Sequence, residues 1–225
     1  MFTRPLRLRG REWALPAVLA GGAGLLYVWR DEIRSEVQEH RTRSRDEFFQ
    51  DARLTGKGVF VPALASVLAA LGAARDSSRE KQTALLLAES FAASAVYSAI
   101  GSFVLAAERP QEGESVRFLD TQGHGVSLDA ALSASMIAPL ERAYLRPRPG
   151  ERPAARFWRR SGRALLYLAP ALVAYQRLNQ DKHWAPDAAL GYATGLLSGR
   201  VLCSGYERPG GPRAHLSAGG LRVRF

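Results

Sequence analysis

The segment Arg177-Leu-Asn-Gln-Asp-Lys-His183-Trp-Ala-Pro-Asp187 gathers a guanidinium, an imidazole and a carboxylate within eleven residues. Pro186 suits the first turn of a helix, which puts His183 at a loop-to-helix junction and Asp187 one turn in. At a spacing of four, the carboxylate can come back toward the imidazole. An imidazole held at one ring nitrogen presents the other aimed, correctly protonated and more nucleophilic. Arg177 adds a planar fork that matches phosphoryl oxygens. A His/Asp pair at this spacing is by itself an ordinary surface ion pair. With the arginine it becomes a set suited to nucleophilic chemistry beside a phosphoryl group.

Something must hold these residues, and the apolar pattern indicates helices. The 225-residue chain is one domain by length, too short for two ordinary ones and a linker. Six apolar runs cover Trp13 to Trp29, Gly58 to Ala74, Ala84 to Ala107, Ala130 to Leu140, Ala164 to Tyr175 and Ala188 to Cys203. Trp13 to Trp29 follows Arg4, Arg7, Arg9 and Arg11 and precedes Arg30, Asp31 and Glu32 with no small-residue cleavage site. That pattern is an uncleaved anchor. Several runs fall short of the roughly 20 apolar residues of a spanning helix, and the mean hydropathy is −0.14. A soluble all-helical bundle is therefore one reading, and six crossings of a membrane is the other.

Charge separates the two. The net charge of +10 and pI near 10.4 would by themselves fit a nucleic-acid partner, but the arginines are clustered beside apolar runs. Arg142, Arg146, Arg148, Arg152, Arg156, Arg159, Arg160 and Arg163 share one loop with only Glu141 and Glu151. With a cytoplasmic N terminus and six crossings, this loop falls on the cytoplasmic side, as the positive-inside bias requires. The segments Arg30 to Lys57, Glu108 to His124 and Arg177 to Asp187 then share the outer face. This topology makes a multi-pass membrane protein with its chemistry on the outer face; the expected setting is a bacterial inner membrane with the site on the periplasmic side, and no nucleic-acid partner. Glu89, inside one run, must face the bundle interior or water. Gly191, Gly195 and Gly199 recur every fourth residue and allow close helix approach. Cys203, the single cysteine, reads as a buried thiol. The expected organisation is an anchor helix and charged linker over 1–57, a helical core over 58–203 and a tail over 204–225. The ending Leu-Arg-Val-Arg-Phe225 alternates like a strand, although a disordered end is the expectation.

The chemistry-bearing residues resemble the type 2 phosphatidic acid phosphatase superfamily, which includes bacterial acid phosphatases and vanadium haloperoxidases. Its motifs are Lys-x6-Arg-Pro, Pro-Ser-Gly-His and Ser-Arg-x5-His-x3-Asp. The third is met at Arg177, His183 and Asp187, with Gln176 for the serine, and Trp184, Gly191 and Gly195 continue it. The first is met at Arg109-Pro110, with Ser102 for the lysine. The second has two registers: Thr121-Gln-Gly-His124, or Val126-Ser127-Leu128-Asp129 leading into Ala130-Ala-Leu-Ser-Ala-Ser.

The resemblance implies an all-α, six-helix bundle that is membrane-embedded, and a lipid phosphate monoester or pyrophosphate as substrate. It implies His183 as nucleophile with Asp187 orienting it, Arg109, Arg177 and Ser127 binding phosphate, and His124 or Asp129 protonating the leaving group. It implies neither metal nor cofactor. A catalytically degenerate membrane scaffold of the same fold, binding an anionic headgroup, is the alternative, because Ser102 and Gln176 replace two phosphate ligands. A membrane-anchored periplasmic phosphatase is a third reading. Oligomeric state is not legible.

Overall fold

The protein is described by a computed structural model that covers residues 18, 21–113, 117–207, 213–217 and 220–224, the last two stretches as backbone. The first apolar run therefore lies partly outside the described residues. Residues 21–28 are helical and lead into α1 (Arg30–Glu39), followed by α2 (Arg43–Ala52) and a 3₁₀ turn. The bundle consists of α3 (Phe60–Ala74), α4 (Ser78–Val104), α5 (Leu128–Ala134), α6 (Ile137–Leu140), α7 (Pro153–Asn179) and α8 (Ala185–Glu207). A π-helical turn, Glu141–Leu145, continues α6. The charged segment read as a linker is thus a helical hairpin, α1 and α2, packed on the C-terminal end of α7.

The centre of the bundle is the α5–α6 segment, where every residue from 130 to 139 is buried. Its alanines and serines are small enough for four helices to close around it. Val61, Ala65, Leu87 and Met136 form one apolar cluster joining α3 and α4 to this centre. Ala134, Ile137 and Leu196 form another with α8, and Leu166 of α7 packs on both.

Helix α8 approaches α5 more closely than any side chain would allow. A Cβ at Gly191 would sit 2.3 Å from the Ser127 carbonyl oxygen, and one at Gly195 would sit 2.1 Å from that of Ala131. A Cβ at Gly199 would lie 3.0 Å from the Ser135 oxygen. Glycines at a spacing of four on α8 therefore rest on the backbone of 127, 131 and 135, one turn for one turn. Helix α4 contributes a matching stripe, Ser90, Ser94 and Ser98, all buried.

Small and polar groups share the interior with the apolar clusters, while many large apolar side chains lie on the outside. Val96, Tyr97, Ile100 and Phe103 of α4, Leu165 and Leu168 of α7 and Val201 of α8 are exposed. Among the described residues, α4 is the one helix both long and apolar enough to cross a membrane. It begins at Ser78, six residues before the apolar run, because the polar residues of its first turns, such as Arg79, Glu80 and Lys81, are good helix formers. The run Ala164 to Tyr175 is the middle of α7, whose 27 residues extend about 40 Å. Glu89 is half-buried and accepts a 2.9 Å hydrogen bond from Tyr206 Oη, while Cys203 is buried and free.

The tail departs from expectation. Strands β1 (Arg213–Ser217) and β2 (Gly220–Arg224) pair antiparallel, Ala214 opposite Val223 and Leu216 opposite Leu221. The alternation visible in the last residues has a complementary arm just before it, so apolar positions meet apolar positions in register.

Gly195→Ala should lower stability by about 1–3 kcal/mol, the usual cost of overpacking, because the new methyl meets backbone rather than a movable side chain. Gly205→Ala, where nothing lies within 4 Å of the added Cβ, should be neutral. Thermal melts of the two detergent-solubilised variants check the contrast.

Candidate active site

Two loops close one end of the bundle. Residues 105–127 connect α4 to α5, and residues 180–184 connect α7 to α8. The first loop is bonded to the second at two places and to the start of α8 at a third: Trp184 Nε1 donates to the Glu108 carbonyl at 2.9 Å, His183 Nδ1 lies 3.2 Å from the His124 carbonyl oxygen, and Ser127 N–H donates to the Asp187 carbonyl at 3.0 Å. The first loop is itself pressed onto the last turn of α4, since a Cβ at Gly123 would come within 2.5 Å of the Ser102 carbonyl oxygen. His124 N–H donates to the Ala107 carbonyl at 3.0 Å.

His183 is nearly enclosed, with its side chain 10% exposed and that of Asp187 8%. Its Nδ1 is the nitrogen turned toward the His124 carbonyl, so a hydrogen there makes a donor and leaves Nε2 with the lone pair. The Asp187 carboxylate stands 3.9 Å from the same nitrogen. Its closer bond is to the Trp184 backbone N–H, at 3.1 Å. Trp184 precedes the first residue of α8 and Asp187 is its third, so this is the back-reaching half of a capping box. Asp187 therefore fixes the start of the helix and supplies charge near the ring, while the His124 carbonyl sets the ring's orientation.

Arg109 approaches from the first loop. Its Nε is buried with no hydrogen-bond partner among the described residues, and Nη1 lies 3.8 Å from Glu112 Oε1. Burial first, then the Arg109 guanidinium and the neighbouring His183 ring, hold the His124 imidazole below its ordinary 6.5, against a weaker opposite pull from Glu112 and Asp187. Arg177, on the last turn of α7, pairs with Asp129 on the first turn of α5, Nη1 to Oδ2 at 3.3 Å. Ser127 is fully buried, and its hydroxyl has no partner among the described residues.

The geometry therefore gathers Arg109, His124, His183 and Asp187 at this end of the bundle, where Arg177 and Asp129 are joined and Ser127 is tied to Asp187 through its backbone N–H. Both registers of the second motif reach this end: His124 beside Arg109 and His183, Asp129 on Arg177. The two departures from the first and third motifs take different forms. Ser102 Oγ donates to the Val126 carbonyl at 3.0 Å and accepts the Val126 N–H at 3.2 Å. An ammonium has no acceptor for that second bond. Gln176 is fully buried within α7, with both amide atoms unpartnered among the described residues.

The overall arrangement has known counterparts. LpxE of Aquifex aeolicus superposes with a TM-score of 0.58 at 19% identity, over 78% of this chain and 94% of that one. The first transmembrane PAP2-type phosphatidylglycerolphosphate phosphatase of Bacillus subtilis gives 0.55 at 16%, over 84% and 94%. The fold is that of the type 2 phosphatidic acid phosphatases. No family model matches the chain, and no curated protein does. The likeness thus resides in how the type 2 phosphatase helices pack, with little left in the residues.

Sequence reasoning did not find what braces this end of the type 2 phosphatase fold. Arg34 of α1 forks onto Asp181, Nε to Oδ1 and Nη2 to Oδ2, both at 2.8 Å. Asp181 has a left-handed backbone, φ +56°, two residues before His183. Arg30 and Arg34 also stack over the Trp184 ring, at 4.8 and 5.5 Å from its centroid. Gln38 Nε2 donates to the Leu178 carbonyl at 3.0 Å. Nothing local signals a bond spanning 147 positions; only the shared sidedness of the two segments hinted at it.

If His124 is the proton donor, kcat/KM for an alkyl phosphate should fall as pH rises through a value below 6.5, since only the protonated ring donates and its pKa is depressed. His124→Ala should remove that limb and cost about 10²–10⁴-fold on alkyl esters, with little effect on nitrophenyl phosphate. Transfer of this pattern to Asp129→Asn would assign the role to Asp129.

Proposed function

We propose that the chain is a multi-pass membrane phosphatase that hydrolyses a lipid phosphate monoester or pyrophosphate through a phosphohistidine on His183. The observation that carries this reading is the His183 ring, turned with Nδ1 to the His124 carbonyl and Nε2 without a hydrogen bond among the described residues, with Arg109 Nε on the His124 loop buried and without a partner among them. It rests on a fold shared with a phosphatidylglycerolphosphate phosphatase.

In the first step Nε2 attacks phosphorus and the bond to the leaving oxygen breaks, with a proton from His124 or Asp129 going to that oxygen. Arg109 and Arg177 hold the equatorial oxygens and offset the charge that develops there. For Arg177 to do so, the phosphate competes with Asp129 for the guanidinium. Water then cleaves the phosphorus–nitrogen bond, the former acid acting as base. Asp187 keeps the imidazolium charge tolerable throughout. The absence of a lysine at Ser102 leaves Arg109 as the first loop's cation at phosphate, which lowers the expected rate.

The membrane setting is supported by the outward-facing Val96, Tyr97, Ile100, Phe103, Leu165, Leu168 and Val201 around a serine- and glycine-lined interior. An apolar exterior of that extent is the mark of an interaction surface, and small-residue interiors are the packing device of membrane helices. Helix α7 puts the arginine-rich loop at one end and Arg177 at the other, so positive-inside topology points the site outward, to the periplasm of a bacterial inner membrane.

Against a panel of lipid phosphates, His183→Ala should abolish turnover and Asp187→Asn should leave a residual rate, because the nucleophile stays while its electrostatic support is lost. A folded wild-type protein as inactive as His183→Ala on every ester would leave the scaffold reading in its place. Protease added to intact spheroplasts should spare the arginine-rich loop, and cleave it only after lysis. Cutting in intact spheroplasts would reverse the topology.

A further inference from the structure

At the end of the bundle away from His183, the arginine-rich loop folds back on the first turns of α7. Together they enclose a pocket of about 540 Å³. Five arginines line it, Arg148, Arg156, Arg159, Arg160 and Arg163, against a single acid, Glu151. Glu151 is matched to Arg159, and Arg163 is matched to Glu141 at 2.8 Å. Arg148, Arg156 and Arg160 have no carboxylate partner among the described residues; Arg156 meets only the Glu151 carbonyl oxygen, at 3.3 Å. A pocket that converges three uncompensated guanidinium groups is built for an anion, and planar forks favour phosphate oxygens.

The surroundings say where the anion comes from. Phe157 and Trp158, adjacent to the pocket, are 61% and 71% exposed and pack edge to face with centroids 5.5 Å apart. Aromatic rings of this kind sit at the headgroup level of a bilayer. Further along α7 the exposed Leu165 and Leu168 continue the same outward surface, Leu165 two turns beyond Trp158. Along α7 the guanidinium groups of Arg156 and Arg160 flank the exposed rings of Phe157 and Trp158, and the aliphatic Leu165 and Leu168 follow beyond them, which sets a phosphate-binding level next to an interfacial and then an acyl-chain level.

We propose that this pocket is a binding site for an anionic phospholipid of the surrounding bilayer, with the headgroup phosphate between Arg148, Arg156 and Arg160 and an acyl chain along Leu165 and Leu168. Basic pockets on the cytoplasmic side of membrane proteins take such headgroups. The site is separate from the candidate active site and does not require turnover. It rests on the membrane reading given above, and carbonate extraction distinguishes failure of that reading from failure of this one.

The full chain in detergent, titrated with phosphatidylglycerol and with phosphatidylcholine, reports binding by native mass spectrometry. Phosphatidylglycerol should be retained by the wild type and equally by Arg109→Gln. The double variant Arg148→Gln/Arg160→Gln, which removes no side-chain hydrogen bond or ion pair among the described residues, should weaken retention about thirtyfold, at about fivefold per arginine near a membrane surface. Equal retention of phosphatidylcholine, loss that follows Arg109→Gln instead, or unchanged retention by the double variant would overturn the assignment. So would inorganic phosphate protecting the protein thermally as well as the lipid does, since a free anion would then be the occupant. A chain that stays in carbonate-washed membranes yet retains no phosphatidylglycerol refutes this site alone.

Discussion

The contact on which the candidate site depends is the one between α8 and α5, where glycine meets backbone. Gly191 and Gly195 lie against the carbonyls of Ser127 and Ala131 at distances no Cβ tolerates. At the top of that seam the Ser127 N–H bonds the Asp187 carbonyl. The first turn of the helix carrying the third motif is thereby fixed to the first residues of the helix that follows the second. His183 then meets the His124 carbonyl because both loops leave the same seam. Interhelical close approach converts two weakly marked loops into one site.

A second constraint acts from outside. The helical hairpin of α1 and α2 braces the loop that bears His183, with Arg34 forked onto Asp181 and the Trp184 ring beneath two guanidinium groups. A residue held at φ +56° without glycine costs energy that the surrounding contacts offset. Here the fork on Asp181 is one such contact. On the other loop, Ser102 binds both the N–H and the carbonyl of Val126. The position at which the resemblance leads one to expect a cation thus serves to seat the loop. Together with the Arg177–Asp129 pair, it makes the phosphate-facing charge of this site smaller than the motifs imply.

The residues that announced themselves in the sequence did so through chemistry tied to a local pattern. His183 and Asp187 were legible because Pro186 marks a helix start, and a helix start fixes their geometry. Gly191, Gly195 and Gly199 were legible because their period matches the turn. Helix limits were less so: α4 and α7 extend beyond their apolar runs because polar residues such as Arg79 and Glu80, or Arg156 and Arg160, are good helix formers that hydropathy does not register. The hairpin of α1 and α2 was read as a linker because its charges mask an amphipathic pattern whose buried residues, Val37 and Phe49, are sparse. The partnership of Asp187 with Trp184, closer than with His183, was invisible because both lie within reach of the same carboxylate and only coordinates rank them. The last five residues alternate without showing the arm they pair with, so the hairpin is not legible from that end alone.

The central claim is that His183 Nε2 forms a covalent bond to phosphorus. Mixing the membrane-inserted protein with a lipid phosphate labelled at its terminal phosphoryl group and quenching in alkali within one turnover tests it directly. Alkali spares a phosphoramidate bond. The account predicts label on the peptide containing His183, released by acid, and absent in His183→Ala. Turnover by the wild type with no label at that peptide, or label that persists in His183→Ala, would contradict it.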